Sequence, residues 1–341
     1  MIRSFFHAWE RKLAYSDDFE RRILPFDWGV EYLPPLAHAV AGETPRDVAH
    51  QHVGHALSDT DAYFAAPGVD DYRLDADVLT FTSVAPTRVP ENDVVRAKYF
   101  PTGDLGPAVV VLPHWNAKEG AQDGLCGLLN RFGISALKLT LPYHEARMPK
   151  ALTRADYTLS PNVGRTIQSC RQAVLDTRSA VSWLEDRGYG PLGIVGTSLG
   201  SAIAFVVNAH EPRLKTAVFN HISPYFADVV WEGISTRQVR QGLEAGIDLE
   251  ELRKLWLPLS PFNYYDRLKQ RAQRSLLIYA RYDLSFPPAL SRELLRDFAA
   301  LGVDHEVFQL PCGHYTTAKF PFNWMDGLRI ARFLKANLGT G

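Results

Sequence analysis

The run Gly196–Gly200 (GTSLG) restricts the fold of this chain more than any other feature, because it joins an apolar strand-like segment to an apolar helix-like one. Leu192–Val195 precedes the run and Ser201–Ala209 follows it. Small residues around a serine let the backbone turn sharply, so that the hydroxyl is exposed at the end of a strand. The pattern predicts a strand, a tight turn at Ser198 and a helix, although a glycine-rich turn without chemistry would also produce the run itself.

From about residue 94, strand-like and helix-like segments alternate along the chain. Strands are predicted at Val94–Phe100, Ala108–Leu112, Ile134–Leu141, Leu192–Val195, Leu214–Phe219, Ser275–Ala280 and Glu306–Leu310. Helices are predicted at Cys126–Phe132, Arg165–Arg187, Ser201–Ala209, Pro288–Leu301 and Phe322–Asn337. Apolar strands that alternate with helices predict an α/β fold, in which a mostly parallel central sheet carries helices on both faces.

Two regions depart from this alternation. Residues 1–70 contain helix-like stretches at Arg3–Lys12 and Pro45–Leu57, so we expect a helical N-terminal extension there. The remainder, residues 71–341, would form the α/β domain. Within it, residues 225–268 separate two predicted strands and are rich in aromatic and charged side chains, which favours a short helical cap inserted into the domain.

The composition is typical of a globular protein, with 46% hydrophobic and 22% charged residues and a formal net charge of -1. Near-neutral charge gives no electrostatic reason to expect a nucleic acid or an anionic membrane as partner. The three cysteines, Cys126, Cys170 and Cys312, have no C-x-x-C spacing, which argues against a disulfide framework. Because the first residues are charged throughout and the apolar runs are short, we expect no secretory signal, no integral membrane segment and a cytoplasmic location.

Candidate catalytic partners for Ser198 follow two of the later predicted strands. A serine hydroxyl needs a histidine base, and the histidine needs a third group that fixes its tautomer. Asp283 follows Ser275–Ala280 and His314 follows Glu306–Leu310, which gives the chain order serine, acid, histidine of hydrolases with a nucleophile elbow. We therefore predict a triad, although a helix-capping carboxylate and a core histidine are the alternatives for these two residues taken singly.

The elbow Gly196–Gly200, the acid loop Ala280–Asp283 and the Gly313-His314 pair together resemble the α/β-hydrolase superfamily over residues 94–338. The segment Leu141–Arg147 (LPYHEAR) is similar, more narrowly, to the family of abhydrolase-domain-containing protein 18. The resemblance implies acyl transfer to water through Ser198, without a cofactor. It does not extend to the first sixty residues.

The oxyanion of the reaction is expected to be held by two backbone N–H groups. One belongs to Leu199, and the other lies in the loop after the Ala108–Leu112 strand. Many relatives have glycine after the histidine of this loop, whereas this chain reads His114-Trp115-Asn116. Asn116 is therefore the first candidate for the second donor and Trp115 is the second candidate.

Polar residues near predicted strand ends are candidates for binding substrate, because α/β proteins bind ligands at the carboxyl edge of the sheet. They are His114, His144, Arg147, Thr197 and His221. For His144 and Arg147, hydrogen bonding within the loop is the alternative. The histidines His50, His52 and His55 have no carboxylate or cysteine at an established metal-ligand spacing, so we predict no metal site.

These residues predict a serine hydrolase that cleaves a small-molecule carboxylic ester or thioester through an acyl-enzyme. An acyltransferase would use the same acyl-enzyme and pass the acyl group to an alcohol or amine. A binding protein that keeps the fold without catalysis is the third alternative, and such proteins usually lack one member of the triad. The sequence does not indicate an oligomeric state.

Overall fold

A nine-stranded sheet forms the centre of the structure, a computed structural model that describes residues 1–16, 20–34, 42–271 and 273–339. The strands are β1 (Arg73–Asp75), β2 (Val78–Thr82), β3 (Val94–Phe100), β4 (Ala108–Leu112), β5 (Ser135–Leu139), β6 (Leu192–Thr197), β7 (Leu214–Asn220), β8 (Arg274–Ala280) and β9 (His305–Leu310). Their spatial order is β1-β2-β3-β5-β4-β6-β7-β8-β9. All seven strands predicted from the sequence are present, with ends displaced by at most two residues.

The sheet is mostly parallel, as predicted. From β5 to β9 in spatial order, neighbouring strands run parallel, while β1, β2 and β3 form an antiparallel edge. Every residue of β4 and β5 is buried, as expected for parallel strands covered on both faces. β1 and β2 were not predicted, because β1 has three exposed residues and only two of the five residues of β2 are buried.

Helices cover both faces of the sheet. They are α1 (Ile2–Ala14), α2 (Pro45–Ser58), α3 (Thr60–Tyr63), α4 (Pro90–Asp93), α5 (Asp123–Arg131), α6 (Val163–Asp186), α7 (Leu199–His210), α8 (Phe226–Glu232), α9 (Arg237–Leu243), α10 (Leu249–Leu255), α11 (Tyr265–Lys269), α12 (Pro288–Leu301) and α13 (Phe322–Leu338). Side chains of α6, α7 and α12 join one core cluster, and those of α5 and α13 join the other. In β4, Val110 and Leu112 belong to the first cluster while Val109 and Val111 belong to the second, because successive side chains of a strand point to opposite faces.

The helical cap predicted at residues 225–268 corresponds to α8–α11, which lie between β7 and β8. Within this segment the buried rings of Phe226 and Trp256 are 5.4 Å apart, and the Trp256 indole donates to the carbonyl oxygen of Val163 in α6. The helices predicted in the N-terminal extension are α1 and α2, while residues 17–19 and 35–41 of that extension lie outside the described residues.

The three cysteines are free and buried. No helix in the described part of the chain is long and apolar enough to cross a membrane.

Candidate active site

Ser198 lies at a sharp turn between β6 and α7. Its backbone angles, a φ of 58° and a ψ of -120°, are values that residues other than glycine rarely adopt. The turn requires glycine on both sides: a Cβ on Gly196 would lie 2.2 Å from the carbonyl oxygen of Gly200, and one on Gly200 would lie 2.4 Å from that of Leu112. The Ser198 amide donates to the carbonyl oxygen of Asn220 over 2.8 Å, which ties the turn to β7. The predicted strand, tight turn and helix are therefore present.

Asp283 and His314 are paired at the ends of β8 and β9. The two are 3.1 Å apart, from Nδ1 of His314 to Oδ2 of Asp283. The other carboxylate oxygen, Oδ1, accepts hydrogen bonds of 2.7 Å from the amides of Ser285 and Phe286. The ring of Phe286 stacks on the ring of His314, with centroids 5.4 Å apart and planes 7° from parallel. Because Nδ1 of His314 faces the carboxylate, Nε2 is the ring nitrogen that remains for a second partner.

The electrostatics of the pair favour an ionised acid and a strong base. Burial by itself raises the pKa of Asp283, but the charge of His314 and the contacts with His221 and His314 outweigh it and hold that pKa well below its usual range. Burial lowers the pKa of His314, and the attraction and hydrogen bonding of Asp283 raise it by more, so the net shift is upward. These are the shifts that a histidine base and its orienting carboxylate require.

His221 is a second histidine beside the same carboxylate. Its Nδ1 lies 3.0 Å from Oδ2 of Asp283, but the N–H direction does not meet hydrogen-bond geometry, so we treat this as a close contact. Burial and the neighbouring His314 lower the pKa of His221, which favours its neutral form. Among the described residues, His221, Asp283 and His314 are also a group that could hold a metal ion, with ligand atoms within 4.8 Å of one another.

A cavity of about 1030 Å³ opens beside Ser198. Three of the residues predicted to bind substrate, His114, Thr197 and His221, line it together with His314. Burial lowers the pKa of His114 to about 4, so this wall residue is neutral at pH 7. Thr197 accepts a hydrogen bond of 3.1 Å from Nε2 of Gln122. The cavity therefore brings the predicted nucleophile and base to one space with polar side chains around them.

The loop after β4 also lines the cavity, but it uses its two amides differently. The amide of Asn116 donates to Nε2 of His144 over 2.9 Å, so the first candidate for the second oxyanion donor already has a partner. The amide of Trp115 has no hydrogen-bond partner among the described residues, while the Trp115 indole donates to the carbonyl oxygen of Ala155. The guanidinium of Arg154 lies 5.5 Å from the centre of the indole ring. Trp115 is thus fixed at the cavity wall with its amide available.

His144 and Arg147 do not line this cavity, and their role in binding substrate stays a prediction. Both are buried, and His144 contacts the carbonyl oxygen of Pro142 through Nδ1 and the amide of Asn116 through Nε2. Arg147 contacts the carboxylate of Asp176 over 2.8 Å, and neither side chain is exposed to any degree. Arg147 also donates to the carbonyl oxygens of Asn92 and Thr140, so the two side chains join this loop to α4, to α6 and to the loop after β4.

The Arg147–Asp176 pair gives a prediction on stability. Replacing Arg147 by methionine leaves Asp176 buried without a counter-charge, and we expect a loss of about 3–5 kcal/mol in the free energy of unfolding, measured by urea denaturation. Lys254→Met is the matched control, because the Lys254–Glu250 pair is exposed and should contribute no more than about 0.5 kcal/mol. Equal stability of the two variants would contradict this role of Arg147.

The histidines of α2 have separate partners. His50 contacts the carboxylate of Glu251 over 2.7 Å, and the buried His52 contacts the hydroxyl of Tyr63 over 2.9 Å. Burial lowers the pKa of His52 to about 4. These contacts join α2 to the cap helix α10 and to α3.

Comparison with known proteins finds one matching family model and solved structures with a similar fold. The model of the family described as alpha/beta hydrolase domain containing 18 matches residues 125–246. Among solved structures, an esterase from Pyrococcus furiosus is 19% identical, with a TM-score of 0.54 over 90% of this chain and 98% of the esterase. An acylaminoacyl peptidase from Pyrococcus horikoshii is 13% identical, with a TM-score of 0.60 over 81% of this chain and 43% of the peptidase. The similarity to these two structures concerns the fold.

The chain has the α/β fold of these hydrolases, and it is similar to the α/β-hydrolase family model over residues 125–246. The resemblance inferred from the elbow, the acid loop and the Gly313-His314 pair is therefore confirmed. The match to the narrower family includes Leu141–Arg147, the segment that suggested that family, and covers about a third of the chain.

Proposed function

We propose that this protein is a serine hydrolase that cleaves a carboxylic ester or thioester through an acyl-enzyme on Ser198. The observation that carries the proposal is the convergence of the strained elbow and the Asp283–His314 pair on one cavity. A serine, a histidine and a buried carboxylate with these separate roles form the arrangement that activates a hydroxyl for attack on a carbonyl.

In the first half-reaction, Ser198 Oγ attacks the acyl carbonyl while Nε2 of His314 takes the hydroxyl proton. Asp283 holds the ring through Nδ1 and stabilises its positive charge. As the tetrahedral intermediate collapses, His314 gives the proton to the leaving alcohol or thiol. In the second half, His314 takes a proton from water, which attacks the acyl-enzyme. As the bond between Ser198 Oγ and the acyl carbon breaks, His314 returns the proton to Ser198 Oγ, and the carboxylic acid is released.

Two backbone amides are proposed to hold the oxyanion. Leu199 is the first residue of α7, where an amide has no partner within the helix, and the helix dipole favours negative charge at this end. Trp115 supplies the second amide in this proposal, in place of Asn116, because the Asn116 amide already donates to His144. Such donors are effective when they are in place before the charge develops.

The size and lining of the cavity favour an acyl or alcohol group of more than a few carbons. Apolar residues of α5 and α8, including Leu125, Leu128, Val229 and Val230, form parts of its wall. Each buried methylene contributes about 0.8 kcal/mol to binding. For p-nitrophenyl esters, we expect kcat/KM to rise at least about tenfold from the acetate to the octanoate. Burial of only some of the additional methylenes is enough to produce this rise.

The ester series also tests the proposed function. Rates are measured for the native protein and, as a blank, for Ser198→Ala. A sharp preference for acetate would contradict the roomy pocket, and no hydrolysis above the blank for any ester would contradict an esterase. EDTA is expected to leave the rate unchanged, whereas a loss that Zn²⁺ restores would favour use of His221, Asp283 and His314 as metal ligands.

A further inference from the structure

The N-terminal helix α1 places a buried carboxylate against the loop that carries His314. Glu10 has no exposed surface, although glutamate is rarely buried. Its Oε1 accepts hydrogen bonds of 2.8 Å from both the amide and the hydroxyl of Thr316, and its Oε2 accepts one of 3.0 Å from the amide of Tyr315. Three donors from the two residues after His314 thus converge on one side chain from the other end of the chain.

Gly313, the residue before His314, allows this contact. A Cβ at Gly313 would lie 2.3 Å from Cδ of Glu10, so the carboxylate packs directly on the loop backbone. The Gly313 amide in turn donates to the hydroxyl of Thr316 over 2.7 Å. The loop therefore bends around the Glu10 carboxylate. His314 lies between Gly313 and Tyr315, which both contact this carboxylate.

The same helix also contacts the loop that carries Asp283. The ring of Phe6 stacks on the ring of Tyr282, with centroids 4.7 Å apart and planes 8° from parallel. The Tyr282 amide donates to the carbonyl oxygen of Cys312 over 2.9 Å, which joins the acid loop to the histidine loop. One face of α1 therefore contacts both loops of the Asp283–His314 pair.

We propose that α1 is part of the active site, and that Glu10 is a positioning residue that fixes the His314 loop so that the imidazole stays aligned between Asp283 and Ser198. This inference rests on the proposed hydrolase function and extends it to a helix that lies outside the part of the chain matched by the family model. A carboxylate suits the task because hydrogen bonds to a charged acceptor are stronger and shorter than those between neutral groups.

Burial raises the pKa of Glu10, and the hydrogen bonds from Tyr315 and Thr316 oppose that rise. Above this pKa the charge of Glu10 also acts on His314. Among the described residues, the titratable groups near Glu10 are Asp283, Cys312, His314 and Tyr315, and those near His314 include His114 and His221. Burial lowers the pKa of His314, the charge and hydrogen bond of Asp283 raise it, and the charge of Glu10 adds to that rise. Since the neutral imidazole is the active base, loss of the Glu10 charge moves the acid limb of the kcat/KM profile to lower pH.

Glu10→Gln tests the proposal with little change in volume. The amide retains one acceptor oxygen and presents an NH₂ group to backbone N–H donors, so the loop loses part of its support. We expect kcat for an ester substrate to fall about 10- to 100-fold with KM within about threefold, because small misplacement of a catalytic group is costly. Lys12→Gln, at an exposed position of the same helix, is the control and should behave as the native protein.

A second variant guards against a folding defect in the first. Thr316→Val removes one of the three hydrogen bonds to Glu10 and also the acceptor of the Gly313 amide, and it should lower kcat as Glu10→Gln does. Circular dichroism and thermal unfolding establish that each variant is folded. Native kcat in both folded variants, with an unmoved acid limb in Glu10→Gln, would overturn the proposal.

Amide hydrogen exchange gives a readout that does not depend on catalysis. In the full-length protein, peptides covering Tyr315 and Thr316 should exchange faster in Glu10→Gln than in Lys12→Gln, because their amides lose an acceptor. Faster exchange would support the contact between Glu10 and the His314 loop even in a protein that hydrolyses no ester. Failure of the proposed function can therefore be told apart from failure of this inference. Equal exchange in the two variants would overturn the role of Glu10.

Discussion

Replacing Ser198 by alanine should abolish ester hydrolysis, with kcat reduced by about 10⁶-fold, the scale seen when the nucleophile of a serine hydrolase is removed. The Ser198 side chain does not cap α7, and alanine fits the same backbone turn, so the variant should remain folded. Initial rates with a p-nitrophenyl ester, measured beside circular dichroism and thermal unfolding, give the result.

Ser182→Ala is the control for this experiment. Ser182 lies on α6, does not line the cavity and donates only to the carbonyl oxygen of Arg178 within its own helix. Its replacement should leave turnover unchanged. Hydrolysis by Ser198→Ala at more than about 1% of the native rate would mean that another group performs the chemistry.

Asp283→Asn is expected to lower kcat by about 10³- to 10⁴-fold in a folded protein. The asparagine NH₂ group would face Nδ1 of His314 and favour the tautomer that carries the proton on Nε2, where the serine needs an acceptor. Asp283 also raises the pKa of His314, so its neutralisation should move the acid limb of the remaining activity to lower pH. A kcat/KM profile from pH 4 to 9 measures both effects.

Asp304→Asn is the matched control, because Asp304 is exposed and contacts Arg274 over 3.3 Å on the surface. It should retain native kcat and an unmoved acid limb. A fall of less than about tenfold in Asp283→Asn would show that His314 does not depend on this carboxylate, and the role assigned to Asp283 would then be wrong.

The parts that sequence reasoning predicted well are those determined by local patterns. The apolar run Ala108–Leu112 is a buried parallel strand at the predicted bounds, because a run of this length between two prolines favours a strand over a buried helix. The GTSLG run produces the elbow because close packing at Gly196 and Gly200 leaves no space for a side chain. The order of strands along the chain then brought Asp283 and His314 to the same edge of the sheet.

The parts that it missed depend on contacts between distant segments. Glu10 has the sequence context of an ordinary charged residue on a helix. No neighbouring residue in the sequence indicates that its carboxylate accepts hydrogen bonds from the amides of Tyr315 and Thr316. Arg147 followed a strand end as a ligand-binding residue would, yet its partner is Asp176, in the middle of α6. Asn116 fitted the spacing of an oxyanion donor, and only the fold revealed His144 at its amide.

Labelling with a fluorophosphonate tests the central claim most directly, because the reagent reacts with a serine that is activated for attack. Intact-mass spectrometry of the native protein should show a single adduct, which peptide mapping locates at Ser198, and Ser198→Ala should show none. An unlabelled native protein, or an adduct at another residue, would contradict the assignment of Ser198 as the nucleophile.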